Sequence, residues 1–219
     1  MTDKQSATQE TIAGLILLIV SILSLAIIIH HPTLGTPGHD NLAEEAVVEA
    51  RLNGFVHGAL IIANILFYFA LTILSDQLGC KRLAVRAAQL SFATATISMI
   101  GAALVSGFIV PDLAAHLVQD QHPAAFPTQL KLLGAMNQTF AKTGVIGYGF
   151  AIFFWSSAFL RFSGVTRIIG IYGLTIGIVF IAGILSSHLV LDVTGITQVL
   201  AAMILWFIAI AVQMIRTKV

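Results

Sequence analysis

The chain has 219 residues, of which 58% are hydrophobic and only 10% are charged, and its formal net charge is +1. Soluble domains carry about 25% charged residues. A mean hydropathy of +0.95 means more apolar surface than one soluble core of this size can bury. The composition therefore excludes an ordinary soluble domain and places most of the chain in lipid. The basic residues are few and sit at the edges of apolar runs, which excludes nucleic acid as a partner.

Six apolar runs are long enough to cross a bilayer as helices, which takes roughly 20 residues each. They cover residues 11–30, 54–74, 87–110, 132–160, 168–187 and 196–215. Helix is the expected state because lipid offers no hydrogen-bond partner to an open strand edge. None of the runs alternates as the strands of a β-barrel do. We therefore predict an all-α, polytopic membrane protein in which residues 1–219 form a single bundle of six transmembrane helices.

Basic residues are distributed unequally between the two sets of loops. The second loop, the fourth loop and the C-terminus hold most of them: Lys81, Arg82, Arg86, Arg161, Arg167, Arg216 and Lys218. The first and third loops hold only Arg51 and Lys131 among a larger number of acidic residues. Because positively charged loops remain in the cytoplasm, both termini are predicted to be cytoplasmic. The small size and simple loops favour a bacterial inner membrane, with the lipid bilayer as the first partner.

All seven histidines fall on the outer side in this topology. They are His30, His31, His39, His57, His116, His122 and His188. Three outer pairs are spaced four residues apart, a spacing at which two side chains on a helix point the same way: Asn53 with His57, Asp112 with His116, and His188 with Asp192. Imidazole and carboxylate together bind zinc, copper, nickel or iron. This distribution is the reason for considering a metal.

The second span carries a polar stripe. Its members follow one helical face, and they are Glu45, Glu49, Asn53, His57, Asn64, Tyr68 and Thr72. Asn41 followed by Glu44 has the form of a capping box, which predicts a helix start ahead of the span. Gly54 is the position where that helix could bend. A polar face in lipid turns toward other helices or water. An internal hydrogen-bonded seam and a functional site around His57 both remain open.

The fourth span brings a lysine toward the same level. Lys142 lies roughly 15 Å along the helix from its outer end, and a lysine at that depth usually faces a partner or a cavity. The alternative is that its ammonium group reaches back to the outer interface. We predict one polar cluster made of His57, Asn64, Gln138 and Lys142. Three further histidines are expected at its rim: His30, His31 and His116.

Three classes of function remain open. The first is an outward-facing site for a divalent transition metal, with four candidate ligands: His57, His188, Glu49 and Asp192. Haem held between His57 and His188 is a competing cofactor for that site. The second class is a transporter of small solutes or ions that uses a polar route around His57, Asn64 and Lys142. Whether the protein is an enzyme is left undetermined by the sequence.

The third class is a structural or assembly subunit of a membrane complex. The fifth span holds Gly170, Gly173 and Gly177, and small residues at this spacing let helix backbones approach closely. We predict a packing seam on this span. It is also where a homo-oligomer or a membrane-complex partner would be expected to make contact.

Overall fold

The computed structural model describes residues 2–29 and 41–216, with side chains from residue 7 onward. Of these residues 90% are helical and none lies in a strand, which confirms the all-α class. The α-helices within these ranges are α1 Thr2–Ile29, α2 Leu42–Leu78, α3 Leu83–Leu104, α4 Val110–Gln119, α5 Phe126–Phe159, α6 Val165–Leu185 and α7 Val193–Arg216. A π-helical turn, Val105–Ile109, joins α3 to α4, and a 3-10 turn, Pro123–Ala125, precedes α5.

Five described stretches are long and apolar enough to cross a membrane. They are Ala7–Ile29, Leu42–Leu78, Leu83–Gln119, Val165–Leu185 and Val193–Arg216. Helix α5 is also long, at 34 residues, but its first half carries Lys131, Lys142 and several amide side chains. Large apolar side chains point outward around the bundle, such as Leu90 and Ile97, each 71% exposed. The chain is therefore a helical bundle of the multi-pass membrane type, with five to six helices long and apolar enough to span a membrane.

The long helices form a ring. Following the contacts around it, α1 packs on α2, α2 on α3, α3 on α5, α5 on α6, and α7 closes the ring between α6 and α1. The tightest contacts are those of α5 with α3 and with α6. These contacts use glycines: a Cβ on Gly147 would lie 3.0 Å from the Ser91 carbonyl oxygen of α3. Helix α5 is thus the member of the ring with the most extensive packing.

The glycines of α6 also serve this internal packing. A Cβ on Gly170 would lie 3.0 Å from the Ser156 carbonyl oxygen of α5, and one on Gly177 would lie 2.7 Å from the Gly149 carbonyl oxygen. The predicted packing seam is therefore present, and it joins α6 to α5 of the same chain. These glycines give no support to an external partner, which stays a prediction from the sequence.

Three helices extend beyond the rest at one end of the bundle. Helix α2 has 37 residues and the continuous helix Leu83–Gln119 has 37, so each is about 55 Å long, well beyond the ~30 Å of a bilayer core. We call residues 42–53, α4 and residues 126–133 the extension. Together with Val105 of the π-turn, it has its own small core, separate from that of the bundle, made of Ala43, Ala46, Val110, Ala114 and Phe126. Much of the first and third predicted loops is therefore helical.

The start of α2 follows the sequence prediction. Asn41 accepts a hydrogen bond from the Ala43 N–H through Oδ1 (3.0 Å) and donates one from Nδ2 to Glu44 Oε1 (3.0 Å). The first bond satisfies one of the backbone donors that a helix start leaves unpaired. The helix then continues through Gly54 without interruption. The polar stripe therefore runs continuously from the extension into the apolar part of the bundle.

The π-turn between α3 and α4 has a cause in the sequence. Pro111 has no N–H to donate, and within a regular helix its ring would clash with the carbonyl group four residues earlier, that of Gly107. The helix widens at this point, and the Val110 N–H donates to the Val105 carbonyl oxygen. This widening lets one long helix accommodate a proline and continue into the extension.

Aromatic rings fill the half of the bundle away from the extension. Phe92 is at the centre of this packing, with its ring centroid 5.1 Å from that of Tyr148 and 5.6 Å from that of Trp155. The Trp155 and Trp206 rings lie 6.3 Å apart. The Trp155 Nε1–H donates to Ser75 Oγ over 2.9 Å. We call this region the packed half.

Candidate functional site

A cavity of about 300 Å³ lies between the packed half and the extension. Its walls come from α1, α2, α3 with the π-turn, α5, and α7 with the loop before it. The polar residues of its lining are Ser24, His57, Asn64, Ser106, Asn137, Gln138, Tyr148 and Asp192. The remaining lining residues are apolar and include Phe67 and Met203, each 3% exposed. We call this region the hollow half.

A pair of polar side chains lies at the base of the cavity. The Tyr148 hydroxyl donates to Asn64 Oδ1, which ties α5 to α2. Asn64 Nδ2 donates to the Leu60 carbonyl oxygen over 2.9 Å, one turn back in its own helix. A buried polar group without a partner is costly in a membrane interior. The pair therefore places hydrogen-bonding groups at the cavity wall without leaving them unsatisfied.

His57 lies where α2 crosses the π-turn. A Cβ on Gly107 would lie 2.3 Å from His57 Cβ, so only a glycine lets the two helices come this close. The side chain of His57 is buried, at 6% exposure. Its Nδ1 is 2.9 Å from the Asn53 carbonyl oxygen. Because a carbonyl only accepts, Nδ1 is the protonated ring nitrogen in this arrangement.

Asn53 on α2 stabilises the π-turn through a hydrogen bond to one of its backbone carbonyl groups. The usual donor to the Ser106 carbonyl is the Val110 N–H, which bonds to Val105 instead, and the next residue is Pro111. Asn53 Nδ2 donates to the Ser106 carbonyl oxygen over 2.7 Å. The amide therefore satisfies an acceptor that the π-turn leaves without its normal donor. Its place in the polar stripe has a structural explanation.

Gln138 and Asp192 define the wall of the cavity between α5 and α7. Gln138 Nε2 donates to the Leu191 carbonyl oxygen over 2.8 Å, which fixes the loop before α7 against α5. Asp192 Oδ1 accepts from the Gly195 N–H over 2.7 Å, so this carboxylate caps the start of α7. The Asp192 side chain is exposed and also lines the cavity. It therefore lies at the mouth rather than at the base.

Three residues of the predicted polar cluster, His57, Asn64 and Gln138, line one cavity. Lys142 does not line it, and its side chain is exposed. The cavity face of α5 runs through Gln138, Ala141, Val145 and Tyr148.

Lys142 lies on α5 at about the depth that the sequence indicated. It is 16 residues after Phe126, about 24 Å along α5, and the extension accounts for roughly the first 11 Å of that length. An exposed lysine at that level fits the alternative interpretation, in which its ammonium group reaches the interface.

The four candidate metal ligands do not gather. His57 is buried in the bundle, whereas His188 is exposed in the loop after α6, with Nδ1 2.9 Å from Ser186 Oγ. Asp192 lines the cavity, and neither Glu49 nor His188 does. Within residues 2–29 and 41–216, no group of three or more His, Cys, Asp and Glu side chains is arranged to hold a metal ion.

The expected rim histidines contribute little to the described site. His116 is exposed on α4 and is not among the residues that line the cavity. His30 and His31 lie outside the described residues, as does His39. The placement of His30 and His31 at the rim stays a prediction.

Charge separates the two ends of the bundle. At the end opposite the extension, the exposed basic side chains are Lys81, Arg82, Arg86, Arg161, Arg167 and Arg216. The extension and the cavity mouth instead carry exposed charges of both signs: Glu44, Asp112, Asp120 and Asp192 are acidic, and Arg51 and Lys131 are basic. The unequal loop charges of the sequence therefore correspond to two opposite ends of one structure.

Tyr148 is a site residue that was not predicted from the sequence. Its signal was the spacing from Gln138, since positions 138, 141, 145 and 148 follow one helical face. Ser24 was also missed: it is 1% exposed and lines the cavity. Its hydroxyl has no hydrogen-bond partner among the described residues. Within an apolar first span, a single serine carried no pattern that could identify it.

Comparison with known protein families, with curated proteins and with solved structures finds no match for this chain. The function proposed below therefore rests on the geometry and chemistry of the cavity.

Proposed function

We propose that this protein is a multi-pass membrane protein that binds a small organic molecule in the cavity of its hollow half. The cavity carries the proposal. Ligand sites are typically concave, mostly apolar and equipped with a few converging polar groups. A cavity of about 300 Å³ lies at the lower end of the size range of such sites. Asn64, Gln138 and Tyr148 supply the polar groups on an otherwise apolar wall.

We further propose that the basic end faces the cytoplasm and that the extension lies outside. The support is the positive-inside rule applied to the two charged ends of the bundle. Native Cys80 is exposed at the basic end and serves as an internal probe. In intact cells, a membrane-impermeant thiol reagent is expected to modify a His122→Cys variant and to leave Cys80 of the wild type unmodified. The reverse pattern would overturn this orientation.

An organic ligand is favoured over a metal ion by the arrangement of the candidate ligands. His57 and His188 lie in different environments, and only His57 lines the cavity. Binding is favoured over transport because the aromatic rings of the packed half fill the bundle beneath the cavity. A transport route around Lys142 is less consistent with this geometry, since that side chain is exposed.

The test uses a substitution that fills the cavity. Ala63 lines the cavity and is 6% exposed, so Ala63→Leu should occupy the space a ligand needs. Ala182 is exposed on α6, and Ala182→Leu is the matched control. Thermal melting of purified protein is measured with benzyl alcohol and with benzyltrimethylammonium, two small probes that share an apolar ring.

A ligand that binds only the folded state raises the melting temperature. We expect at least one of the two probes to do so in the wild type and in Ala182→Leu but not in Ala63→Leu. Equal responses from all three proteins would place binding outside the cavity, and the absence of any response would contradict the proposal.

A further inference from the structure

We propose that the cavity selects a small organic cation, an amine or quaternary ammonium group on an apolar body, with the Asp192 carboxylate as its charge partner. This inference rests on the proposed ligand site and specifies the chemical class that the site accepts. The lining combines apolar walls, two aromatic side chains and one carboxylate.

The first observation is the charge of the side chains that line the cavity. Asp192 is the one carboxylate in the described lining, and no lysine or arginine is found among the described lining residues. An anionic ligand would therefore enter without a positive partner, which is costly in a region of low dielectric constant. A cation would meet a partner of opposite charge.

The second observation is the position of the Asp192 carboxylate. One carboxylate oxygen, Oδ1, is held by the Gly195 N–H over 2.7 Å, which fixes the side chain at the start of α7. Within the described residues, Asp192 makes no ion pair with a basic side chain. Its charge is thus fixed in place at the cavity mouth and remains available to a ligand.

The third observation is the presence of aromatic side chains in the cavity wall. Phe67 and Tyr148 both line the cavity and border the aromatic packing beneath it. Aromatic rings attract cations through their electron-rich faces, and Phe and Tyr both do so when the charge lies within about 6 Å. An ammonium group on an apolar body therefore gains from the walls as well as from the carboxylate.

The test compares three probes with the same aromatic ring and different charge. They are benzyltrimethylammonium, benzyl alcohol and phenylacetate. Affinities are measured by isothermal titration calorimetry on protein in lipid nanodiscs. Two variants are compared with the wild type: Asp192→Asn, which removes the charge and keeps a side chain that caps helices well, and Asp120→Asn, which removes an exposed charge outside the cavity lining. Thermal melting without probe checks that both variants fold.

We expect benzyltrimethylammonium to bind most tightly, phenylacetate least tightly, and Asp192→Asn to weaken the cation by roughly tenfold or more. Asp120→Asn should change that affinity by less than about twofold. Equal affinities of the cation and benzyl alcohol, both unaffected by Asp192→Asn but lost in Ala63→Leu, would overturn the charge preference and leave the ligand cavity standing. A lack of binding by every probe would overturn both.

Discussion

The packed half and the hollow half are built from the same helices and differ in what fills the space between them. In the packed half, Phe92 and Trp206 are fully buried and the rings contact one another around the bundle axis. In the hollow half, smaller side chains such as Ala63 and Ala103 line about 300 Å³ of space. A membrane bundle gains its stability from close packing. The hollow half therefore gives up packing that the same helices achieve a few turns away.

Polar groups are distributed in the same uneven way. The hollow half holds Asn64, Gln138 and His57, each engaged with a backbone carbonyl group or with a side chain of another helix. These bonds support the wall of an open space rather than closing it. Close packing is therefore concentrated at the basic end, whereas the polar side chains that face open space are concentrated next to the extension.

The largest expected effect is the loss of an aromatic ring from the packed half. Phe92→Ala should destabilise the protein by about 3–5 kcal/mol, because it removes a ring that is closely surrounded and leaves a void. Phe67→Ala should cost less, since one side of that ring already borders the cavity. Unfolding by SDS in mixed micelles measures both. Equal losses would mean that the two halves are packed alike.

A second comparison adds a methyl group to a closely packed glycine and to a glycine beside open space. A Cβ on Gly173 would lie 1.9 Å from Ser156 Oγ and 2.3 Å from Trp206 Nε1, so Gly173→Ala should cost about 1–3 kcal/mol through overpacking. A Cβ on Gly54 would meet its nearest neighbour at 3.7 Å. Gly54→Ala should therefore stabilise α2 by about 0.5–1 kcal/mol. The same unfolding assay reports the sign of each change, and a stable Gly173→Ala protein would contradict the packing described for α6.

The smallest expected effect comes from the hydrogen bond at the base of the cavity. Tyr148→Phe removes the donor to Asn64 Oδ1 and should cost about 0.6–1 kcal/mol, as interhelical hydrogen bonds in membranes usually do. Tyr68 is 39% exposed on the outside of α2, and Tyr68→Phe serves as the control with little expected change. The difference between the two melting temperatures is the measurement. A loss of several kcal/mol for Tyr148→Phe would instead identify this bond as a main support of the fold.

Much of the fold could be predicted from the sequence because apolar runs and helix caps are local signals. The start of α2 at Asn41 and the shared face of His57 and Asn64 both followed from spacing alone. The length of the extension was harder to predict from the sequence. Residues of α4 pack on one another and on α2. The sequence indicated a loop there, because α4 is charged and contains no run of about 20 apolar residues.

The site was harder to predict because it depends on how helices rotate against each other. Lys142 and Gln138 are one turn apart, yet only Gln138 lies on the cavity face. The π-turn before Pro111 adds a residue to the helix and changes which side chains face α2. Such rotations are set by contacts distant in sequence, including the close approach of His57 to Gly107. The spacing of residues within one helix cannot predict these rotations.

The most direct test of the central claim is the reactivity of cysteines placed in each half. Native Cys80 is first replaced by serine. Ala103→Cys then places a thiol on the cavity wall, and Ala151→Cys places one in the packed half at a fully buried position of α5. Both proteins are treated in nanodiscs with the small water-soluble reagent 2-aminoethyl methanethiosulfonate, and modification is followed by mass spectrometry.

We predict that the Ala103→Cys thiol reacts readily, that the Ala151→Cys thiol reacts only after unfolding, and that benzyltrimethylammonium slows the first reaction. Equal protection of both thiols, or equal reactivity, would contradict the division of this bundle into a hollow half and a packed half.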